Sequence, residues 1–283
     1  MKFISGCIIL IFGILPAFGQ ISIEEVSYLN RLHYRVSTSA ATYFIDRQSG
    51  GISGMFDKDY VDWIQWEKSD DEHYPESAAS DYRGLPNLVF GGDDNGVGHP
   101  GFDKAMSFKE GLTRVRVRSL NGKWEFLYSF YPEFAELEII KSPEYNRNYW
   151  FLYEGVPGGE YNSERIYWGT NSGIKVSKPD YFKNEEVYGD WQWAFFGNEN
   201  TKRVFYVVQK GKDNLQDMFG FLGNSEQGIN AENGMVVFGF GRGEEATPLI
   251  NKSNIFYFGF FEKFIDDKSF PKLEKYIQKT FFY

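Results

Sequence analysis

Apolar and polar residues alternate along most of the chain with a period of two, and short glycine-rich or charged turns separate the alternating runs. This pattern is typical of strands that bury one face. The clearest early example is a strand over residues 41–48, a Ser-Gly-Gly turn at 49–51 and a partner strand over 51–57. A Lys-Asp turn at 58–59 then predicts a third strand over 60–64.

The same alternation predicts most of the remaining elements. Asn121-Gly122, between two alternating runs, is the clearest hairpin signal in the sequence. A helix is expected only near the C-terminus, where Ser269 precedes apolar residues at helical spacing and Pro271 occupies the first turn. Strands joined by such short turns pair antiparallel, so the predicted fold class is all-β. The further predicted strands cover residues 112–120, 123–130, 134–141, 149–154, 166–168, 173–177, 192–196, 203–209, 235–240 and 255–261.

One domain over residues 20–283 is expected, because no repeat, linker or change of composition divides the chain. Residues 66–111 are expected to form an extended loop that lies across one sheet. The early succession of strand, Gly-Gly turn, strand, Asp-Lys-Asp turn and strand resembles the opening of the galactose-mutarotase-like β-supersandwich. That resemblance implies a single antiparallel β-supersandwich with a short C-terminal helix, a fold that polysaccharide lyases and glycosidase accessory domains often use.

The N-terminal segment predicts export. Lys2 precedes a nearly continuous apolar run over residues 8–15, and small residues then occupy the −3 and −1 positions of a cleavage site after Gly19. The run is shorter than the ~20 apolar residues that span a bilayer. Cys7, the one cysteine of the chain, lies within this segment, so the mature protein would contain no disulfide. We therefore expect residues 1–19 to be a signal peptide, and the mature protein to be periplasmic or secreted with no membrane span.

The acidic balance of the chain excludes one class of partner. The formal net charge is −9 at pH 7 and the pI is near 5.0, so no basic stripe is available to neutralise the phosphates of a nucleic acid. Aromatic residues make up 19% of the chain. A β core absorbs most of them, and the surplus of Trp and Tyr suits stacking on sugar rings.

One predicted strand carries a strongly basic face. Arg114, Arg116 and Arg118 alternate with Val115 and Val117, so the three guanidinium groups share one side of the strand. Two interpretations are open. The basic side is either a solvated outer face of the sheet or the wall of a groove for an acidic ligand.

The most informative stretch for function covers residues 82–101. Six glycines and two prolines in this stretch prevent a long helix or a regular central strand. Functional groups are often held on loops by a rigid scaffold, so we expect this segment to contribute to the functional site. The residues in it that can bind ligands or move protons are Arg83, Asn87, Asp93, Asp94 and His99.

A second segment points in the same direction. Residues 150–159 form an aromatic strand that ends in a carboxylate and a Val-Pro-Gly-Gly turn, and Tyr161 and Trp168 follow it. Together with Arg-Gly-Leu-Pro-Asn at 83–87 and Gly-His-Pro-Gly at 98–101, this segment resembles a group of small exported proteins from bacterial polysaccharide-degradation systems. Within that group the similarity is to the oligosaccharide dehydratases of ulvan breakdown, with uronate-specific lyases as relatives in chemistry.

The resemblance implies β-elimination on a uronate. The C5 proton leaves, the substituent on C4 departs, and a 4,5-unsaturated sugar remains. A donor must offset the charge of the uronate carboxylate, a base removes the C5 proton, and an acid protonates the departing oxygen. A terminal C4 hydroxyl makes the enzyme a dehydratase, and a C4 oxygen shared with the next sugar makes it a lyase. The expected partner is therefore an acidic oligosaccharide.

The three histidines of the chain are the first candidates for proton transfer. His99 ranks first as base or acid, because Gly98 and Pro100 constrain the turn that holds it. His73 ranks second, since it follows an acidic run whose charges favour its protonated form. His33 lies in a short polar segment and is expected to be structural.

Arg83 and Asn87 are the expected clamp for the uronate carboxylate, since arginine offers a planar bidentate fork and asparagine a neutral donor. The candidate phenolic acids are Tyr82, Tyr153 and Tyr161. Tyr161 and Arg83 join His99 and His73 as the expected catalytic set. The expected substrate contacts are Asn87, Asp94, Tyr82, Tyr153, Glu154 and Trp168.

No cofactor is expected. Residues 93–96 offer the oxygen ligands and the turn of a calcium loop but lack the spaced pattern that ends in a bidentate Glu. An Asx-rich turn is therefore favoured over a Ca²⁺ site. The sequence contains no Cys/His cluster suited to zinc, no serine-hydrolase elbow, and no Gly-rich turn that opens a helix to hold a nucleotide.

Three function classes remain. The first is a uronate-directed eliminating enzyme, either a dehydratase or a lyase. The second is a glycoside hydrolase, for which Glu154 would have to face Asp93 or Asp94. The third is a non-catalytic carbohydrate-binding protein in which aromatic residues alone recognise the sugar. The product separates them, because only elimination creates a conjugated double bond.

Overall fold

The computed structural model describes residues 21–67, 83–88, 90, 96–142, 148–172, 186–222 and 234–283. Strands dominate these ranges, and helix α1 (Phe270–Ile277) is followed by one further helical turn, Gln278–Phe282. The strands are β1 (Ser22–Tyr28), β2 (Arg31–Ser37), β3 (Thr42–Asp46), β4 (Ile52–Phe56), β5 (Ala105–Glu110), β6 (Arg114–Ser119), β7 (Glu125–Phe130), β8 (Phe134–Lys141), β9 (Phe151–Gly155), β10 (Ile166–Thr170), β11 (Val187–Gly189), β12 (Trp193–Asn198), β13 (Val204–Gln209), β14 (Asp217–Leu222), β15 (Met235–Phe240), β16 (Arg242–Gly243), β17 (Thr247–Pro248) and β18 (Ile255–Phe261).

The described strands form one large sheet, two four-stranded sheets and one small sheet of β16 and β17. The large sheet has eight strands in the order β10-β12-β13-β18-β8-β7-β6-β5, and the two four-stranded sheets have the orders β1-β2-β3-β4 and β11-β14-β15-β9. Every strand pairing in the described residues is antiparallel. The prediction of an all-β antiparallel sandwich with a short C-terminal helix is confirmed.

Residues 84–86, which we call the seam segment, connect the two four-stranded sheets. On one side, Ile52 N donates to Leu85 O at 2.7 Å and Leu85 N donates back to Ile52 O at 3.2 Å. On the other side, Gly84 N donates to Glu154 O at 2.6 Å and Glu154 N donates to Gly84 O at 3.0 Å. The seam segment therefore makes β1–β4 and β9, β15, β14 and β11 into one continuous layer, which we call the long layer.

The main core lies between the long layer and the large sheet. Tyr43 of the long layer packs on Phe130 and Phe258 of the large sheet, with ring centroids 5.2 and 6.1 Å apart. Phe151 stacks on Phe256 at 4.3 Å. A second cluster forms on the other side of the large sheet, where the apolar face of α1 packs against β12 and β13. The aromatic residues thus mostly fill cores, as a β-rich chain requires.

The hairpin predicted at Asn121-Gly122 is confirmed between β6 and β7. Gly122 has a φ of +69°, a conformation that glycine adopts without a steric penalty. Asn121 Oδ1 accepts a hydrogen bond from Lys123 N at 3.0 Å and stabilises the turn.

The basic face of β6 is neutralised within the sheet. Arg116 forms ion pairs with Glu110 and Glu125, Arg118 pairs with Glu125 at 2.9 Å, and Arg114 pairs with Glu110 at 3.2 Å. Arg114 and Arg118 are exposed. Of the two interpretations of this face, the geometry favours the solvated outer surface, because its arginines are already paired with carboxylates.

Two sequence predictions of local structure are wrong. Residues 60–64 do not form a strand: Tyr60 has a φ of +61°, and Asp62 Oδ1 accepts hydrogen bonds from Met55 N and Ile64 N, both at 3.0 Å. Asp62 forms a single antiparallel bridge with Phe56, and its carboxylate then stabilises a turn where a ladder would continue. The loop expected over residues 66–111 is also wrong at its C-terminal end, because Ala105–Glu110 forms strand β5 and pairs with β6.

Other predictions lie outside the described residues or were incomplete. The expected strand at 173–177 and the expected signal peptide at 1–19 fall on residues that the structure does not describe. The alternation did not identify β1, β2, β11, β14 or the two short strands β16 and β17, which the structure adds. None of the helices in the described part of the chain has the length and apolar character that crossing a bilayer requires.

Candidate functional site

The side chains of the seam segment and of β9 divide between two faces of the long layer. Tyr153 and Leu85 point into the main core. Glu154 is paired with Gly84 across the ladder, and its side chain lies on the opposite side from Tyr153, because successive residues of a strand alternate between faces. We call this opposite side the outer face. It carries Glu154, one of the buried carboxyl groups whose pKa is strongly raised.

Glu154 and Asn87 form a buried pair on the outer face. The Asn87 backbone turns at a φ of +39°, and its Nδ2 donates a hydrogen bond to Glu154 Oε2. The Asn87 carbonyl in turn accepts a hydrogen bond from Trp150 Nε1 at 2.8 Å. Glu154 is only 5% exposed, so its carboxylate is fixed and largely shielded from water.

The environment of Glu154 brings its titration close to neutral pH. Burial raises the pKa of Glu154 to about 7, while the hydrogen bond from Asn87 and the charge of Arg242 act in the opposite direction. A carboxyl group of this kind gains and loses a proton readily under physiological conditions. The sequence predicts Glu154 as a substrate contact. Because burial raises its pKa, Glu154 is also suited to proton transfer.

Arg242 completes this part of the outer face and was not identified from the sequence. Its guanidinium carbon lies 5.5 Å from the centre of the Trp150 ring, and its Nη1 lies 3.3 Å from Glu186 Oε1. Gly239 makes room for it, since a Cβ there would lie 2.9 Å from Arg242 Cβ. The available signal was the Gly-Phe-Gly-Arg-Gly run at 239–243, in which glycines flank one arginine directly after a strand.

Residues 96–101, which we call the histidine turn, pack on the same outer face. A Cβ at Gly84 would lie 2.6 Å from Pro100 Cδ, and a Cβ at Gly51 would lie 2.5 Å from Gly98 O. Both glycines therefore permit a close approach of the turn to the sheet. Because Gly84 is paired with Glu154, the turn that carries His99 borders the Asn87–Glu154 pair.

His99 is a neutral, shielded imidazole in this structure. The residue is 5% exposed, and burial lowers the pKa of His99 to about 4. Its Nδ1 has no hydrogen-bond partner among the residues that the structure describes. At neutral pH the uncharged ring can donate and accept hydrogen bonds. It would become a stronger base only in surroundings less shielded from water, because burial lowers its pKa.

The Arg83 side chain lies on the core side of the long layer, opposite to the outer face. Its Nη1 donates to Gln65 O at 2.9 Å and its Nη2 donates to Gly234 O at 3.0 Å. Tyr153 and Tyr161 are close enough for their charges to influence its pKa, which burial lowers. The structure therefore groups Arg83 with the two tyrosines on the core side, and it does not bring Arg83 onto the outer face with Asn87 and His99.

Tyr153 and Trp168 have packing roles in this structure. Tyr153 is fully buried and its hydroxyl donates to Trp63 O at 2.8 Å. Trp168 is 1% exposed and stacks on Phe219, with ring centroids 3.7 Å apart and an interplanar angle of 5°. Their contact with a substrate stays a prediction, since neither ring presents a free face.

Three expected site residues, His73, Tyr82 and Asp94, lie outside the described residues, as does most of the candidate calcium loop at 93–96. Within the described ranges, no group of three His, Cys, Asp or Glu side chains is arranged to hold a metal ion. His33 has the structural role expected of it: it is buried, and its Nε2 lies 2.7 Å from Ser53 Oγ.

Comparison with known proteins identifies the fold. No protein-family model matches the chain, and no curated protein sequence does. A candidate mutarotase from Salmonella typhimurium is similar over 86% of this chain and 94% of its own, with a TM-score of 0.53 and 10% identity. A galactose mutarotase-like protein from Lactobacillus casei is similar over 81% of this chain and 100% of its own, with a TM-score of 0.50 and 8% identity.

These similarities confirm the galactose-mutarotase-like β-sandwich that the sequence resemblance implied. At such low identities they concern the fold, and a fold of this kind does not by itself define an activity. Membership of the ulvan dehydratase group stays a prediction, because no family model supports it.

Proposed function

We propose that this protein is a carbohydrate-active enzyme that eliminates water from the non-reducing-end uronate of an acidic oligosaccharide. The observation that carries the proposal is the buried Glu154, bonded to Asn87 on the outer face, with a pKa of about 7. A general base or acid works best when its pKa lies near the working pH. The mutarotase-like fold supports a sugar as the substrate. Export, which the N-terminal segment predicts, belongs to the same proposal.

The proposed reaction uses Glu154 for both proton transfers. The ionised carboxylate takes the C5 proton, the electrons of the C5–H bond form the C4–C5 double bond, and the C4–O bond breaks. Protonated Glu154 then returns its proton to the departing oxygen, which leaves as water. One group with a pKa near 7 can do both, because it is neither too weak a base nor too weak an acid at that pH.

The proposal gives Glu154 the proton-transfer role that the sequence suggested for His99. A group with a pKa of about 4 is a weak base, and burial holds His99 in that state. As a neutral ring on the same face, His99 is suited to hydrogen-bond a sugar hydroxyl. The choice of a dehydratase over a lyase rests on the resemblance of residues 83–87, 98–101 and 150–159 to the ulvan oligosaccharide dehydratases.

A second candidate function is mutarotation, the interconversion of sugar anomers. The similar structures favour it, since one is a candidate mutarotase and the other a galactose mutarotase-like protein. One acid–base group such as Glu154 could also move the proton of an anomeric hydroxyl. Mutarotation changes neither the mass nor the saturation of the sugar. The two candidates are therefore separated by the product.

The test is to incubate the purified protein with an oligosaccharide that ends in glucuronate, and to record near-ultraviolet absorbance and product mass. Dehydration predicts a conjugated double bond and the loss of one water without chain shortening. A shortened unsaturated chain would indicate a lyase, and a shortened saturated chain a hydrolase. Anomer equilibration by NMR without a change of mass would indicate a mutarotase.

Matched variants connect the activity to the site. Glu154→Gln removes the titrating group and keeps the shape of the side chain, so it should lower the rate by about 10²-fold or more. Glu136→Gln is the control, because Glu136 also has a pKa raised by burial and a hydrogen bond from a tyrosine, Tyr257, but lies on β8 in the large sheet. Equal activity of both variants would contradict the proposal.

A further inference from the structure

Arg242 has a hydrogen-bond donor that the described structure leaves unused. The residue is 9% exposed, and its Nε is shielded from water without a partner in the described ranges. Its Nη1 pairs with Glu186, a residue that is itself exposed. A buried donor on a charged group costs free energy when it is unpaired, and such donors in folded proteins usually have a partner. An unused donor at this place therefore points to a ligand.

The surroundings of Arg242 indicate what that ligand is. Trp150 lies beside the guanidinium at 5.5 Å and holds its plane through a cation–π contact. The charge of Arg242 acts on the pKa of Glu154, so the two groups are close. A ligand on Arg242 thus lies close to the proposed base, and the chemistry that suits it is an oxyanion such as a carboxylate or a sulfate, because guanidinium groups bind these anions through paired N–H donors.

The two other arginines considered for this role are already occupied. Arg83, the clamp expected from the sequence, directs both terminal nitrogens to backbone carbonyls on the core side. Arg116, on β6, is paired with Glu110 and Glu125. Neither lies on the outer face with Glu154. The geometry favours Arg242 over both.

We infer that Arg242 is the receptor for the acid group of the sugar substrate and that its Nε makes the specificity-determining contact. The identity of the ligand as an acidic sugar rests on the proposed function. In a uronate the carboxylate carbon is bonded directly to C5. Binding of the carboxylate at Arg242 therefore brings the C5 proton towards Glu154, and the positive charge offsets the negative charge that develops on the carboxylate during elimination.

Glu186 modulates this site. Its carboxylate lies 3.3 Å from Arg242 Nη1, so it orients the guanidinium but also repels an incoming anion. Glu186→Gln should therefore bind the acidic sugar more tightly, by a few fold, while leaving the binding of a neutral sugar unchanged. This variant increases affinity, so its effect cannot be explained by misfolding.

The test is calorimetric binding in a Glu154→Gln background, which stops turnover. Three trisaccharides of equal length are compared: one ending in glucuronate, one in glucose and one in a sulfated glucose. Arg242→Gln should weaken binding of the glucuronate ligand ~10–100-fold, the range for a charge-assisted hydrogen bond, with little effect on the glucose ligand. Arg242→Lys should recover only part of it, because an ammonium lacks the planar fork. Arg116→Gln is the control and should bind as the parent does.

The outcomes separate this inference from the proposed function. Selective loss of glucuronate binding in Arg242→Gln supports the inference even when no elimination is observed, and selective loss with the sulfated ligand alone assigns the site to sulfate esters. If the wild type performs the elimination, but Arg242→Gln and Glu186→Gln bind the glucuronate ligand as tightly as their parent does, the inference is overturned and the proposed function stands. Equal weakening for the neutral ligand would also overturn it.

Discussion

Asn87 Nδ2 donates a hydrogen bond to Glu154 Oε2, and this bond joins the segment after the seam to strand β9 on the outer face of the long layer. The bond favours the ionised carboxylate, whereas burial favours the protonated one. The balance of these two effects leaves Glu154 with a pKa of about 7.

Loss of the Asn87 side chain should raise the pKa of Glu154. Asn87→Gly is the appropriate variant, because glycine accepts the φ of +39° that another residue would adopt only with strain. Without the hydrogen bond, the pH dependence of kcat/KM should move to higher pH, and the maximal rate should fall. Recording the pH–rate profile of both proteins tests this. An unshifted profile would mean that the bond does not tune the carboxylate.

Burial of Glu154 should make stability depend on pH. The pKa is raised above the unfolded value of 4.5, so the free energy of unfolding of the wild type should fall as the pH rises from about 4.5 to about 7. In this window the unfolded chain releases the proton that the folded chain keeps. Glu154→Gln has no titrating group at this position and therefore lacks this loss. Between pH 4 and pH 8, the difference in free energy of unfolding between the variant and the wild type should change by up to about 3 kcal/mol in favour of the variant. Urea unfolding at both pH values measures it, and a constant difference would contradict it.

His99 should have the opposite effect on the acid side. Burial lowers the pKa of His99 from 6.5 to about 4, so the wild type should lose stability as the pH falls through this window, because only the unfolded chain takes up the proton. His99→Gln should lack that loss. Comparison of unfolding free energies at pH 7 and pH 4.5 tests this prediction. Equal loss in both proteins would mean that the imidazole is not shielded in solution.

Arg83 should matter mainly for stability. It fixes the carbonyls of Gln65 and Gly234, so Arg83→Lys should lower the free energy of unfolding by about 1–3 kcal/mol, since one ammonium cannot replace two separated donors. Binding of a glucuronate ligand by the folded variant should be retained. If instead stability is kept and glucuronate binding is lost, then Arg83 is the clamp that the sequence suggested, and Arg242 is not.

Much of the fold follows from the sequence alone, because alternation with a period of two directly reflects which face of a strand is buried. The strands at β8, β13, β15 and β18 agree with the predicted ranges to within one residue at each end. Strands β1 and β2 were missed because their alternation is broken: the adjacent Glu24 and Glu25 are both exposed, and in β2 the apolar Leu32 is exposed while the polar His33 is buried.

The composition of the site was harder to predict than its location. The segment over residues 83–87 was expected to contribute one clamp, Arg83 with Asn87. Gly84 and Leu85 lie in a short bridged segment, but Asn87 leaves that segment with a φ of +39°, so the alternation of faces does not continue to Asn87 and the two members of the clamp separate. No local pattern in a Gly- and Pro-rich stretch reveals such a bridge. Arg242 was missed because its partners Trp150 and Glu154 are distant in sequence and meet it only through the pairing of β9 with β15.

The most direct test of the account is the pH dependence of kcat/KM for formation of the unsaturated product from a glucuronate-terminated oligosaccharide. With Glu154 as the base, the rate should rise with pH and level off above an apparent pKa of about 7. Glu154→Gln should lower it by about 10²-fold or more, and Glu136→Gln should match the wild type. A reaction that Glu154→Gln performs at the wild-type rate, or a profile with no inflection near neutral pH, would contradict the central claim.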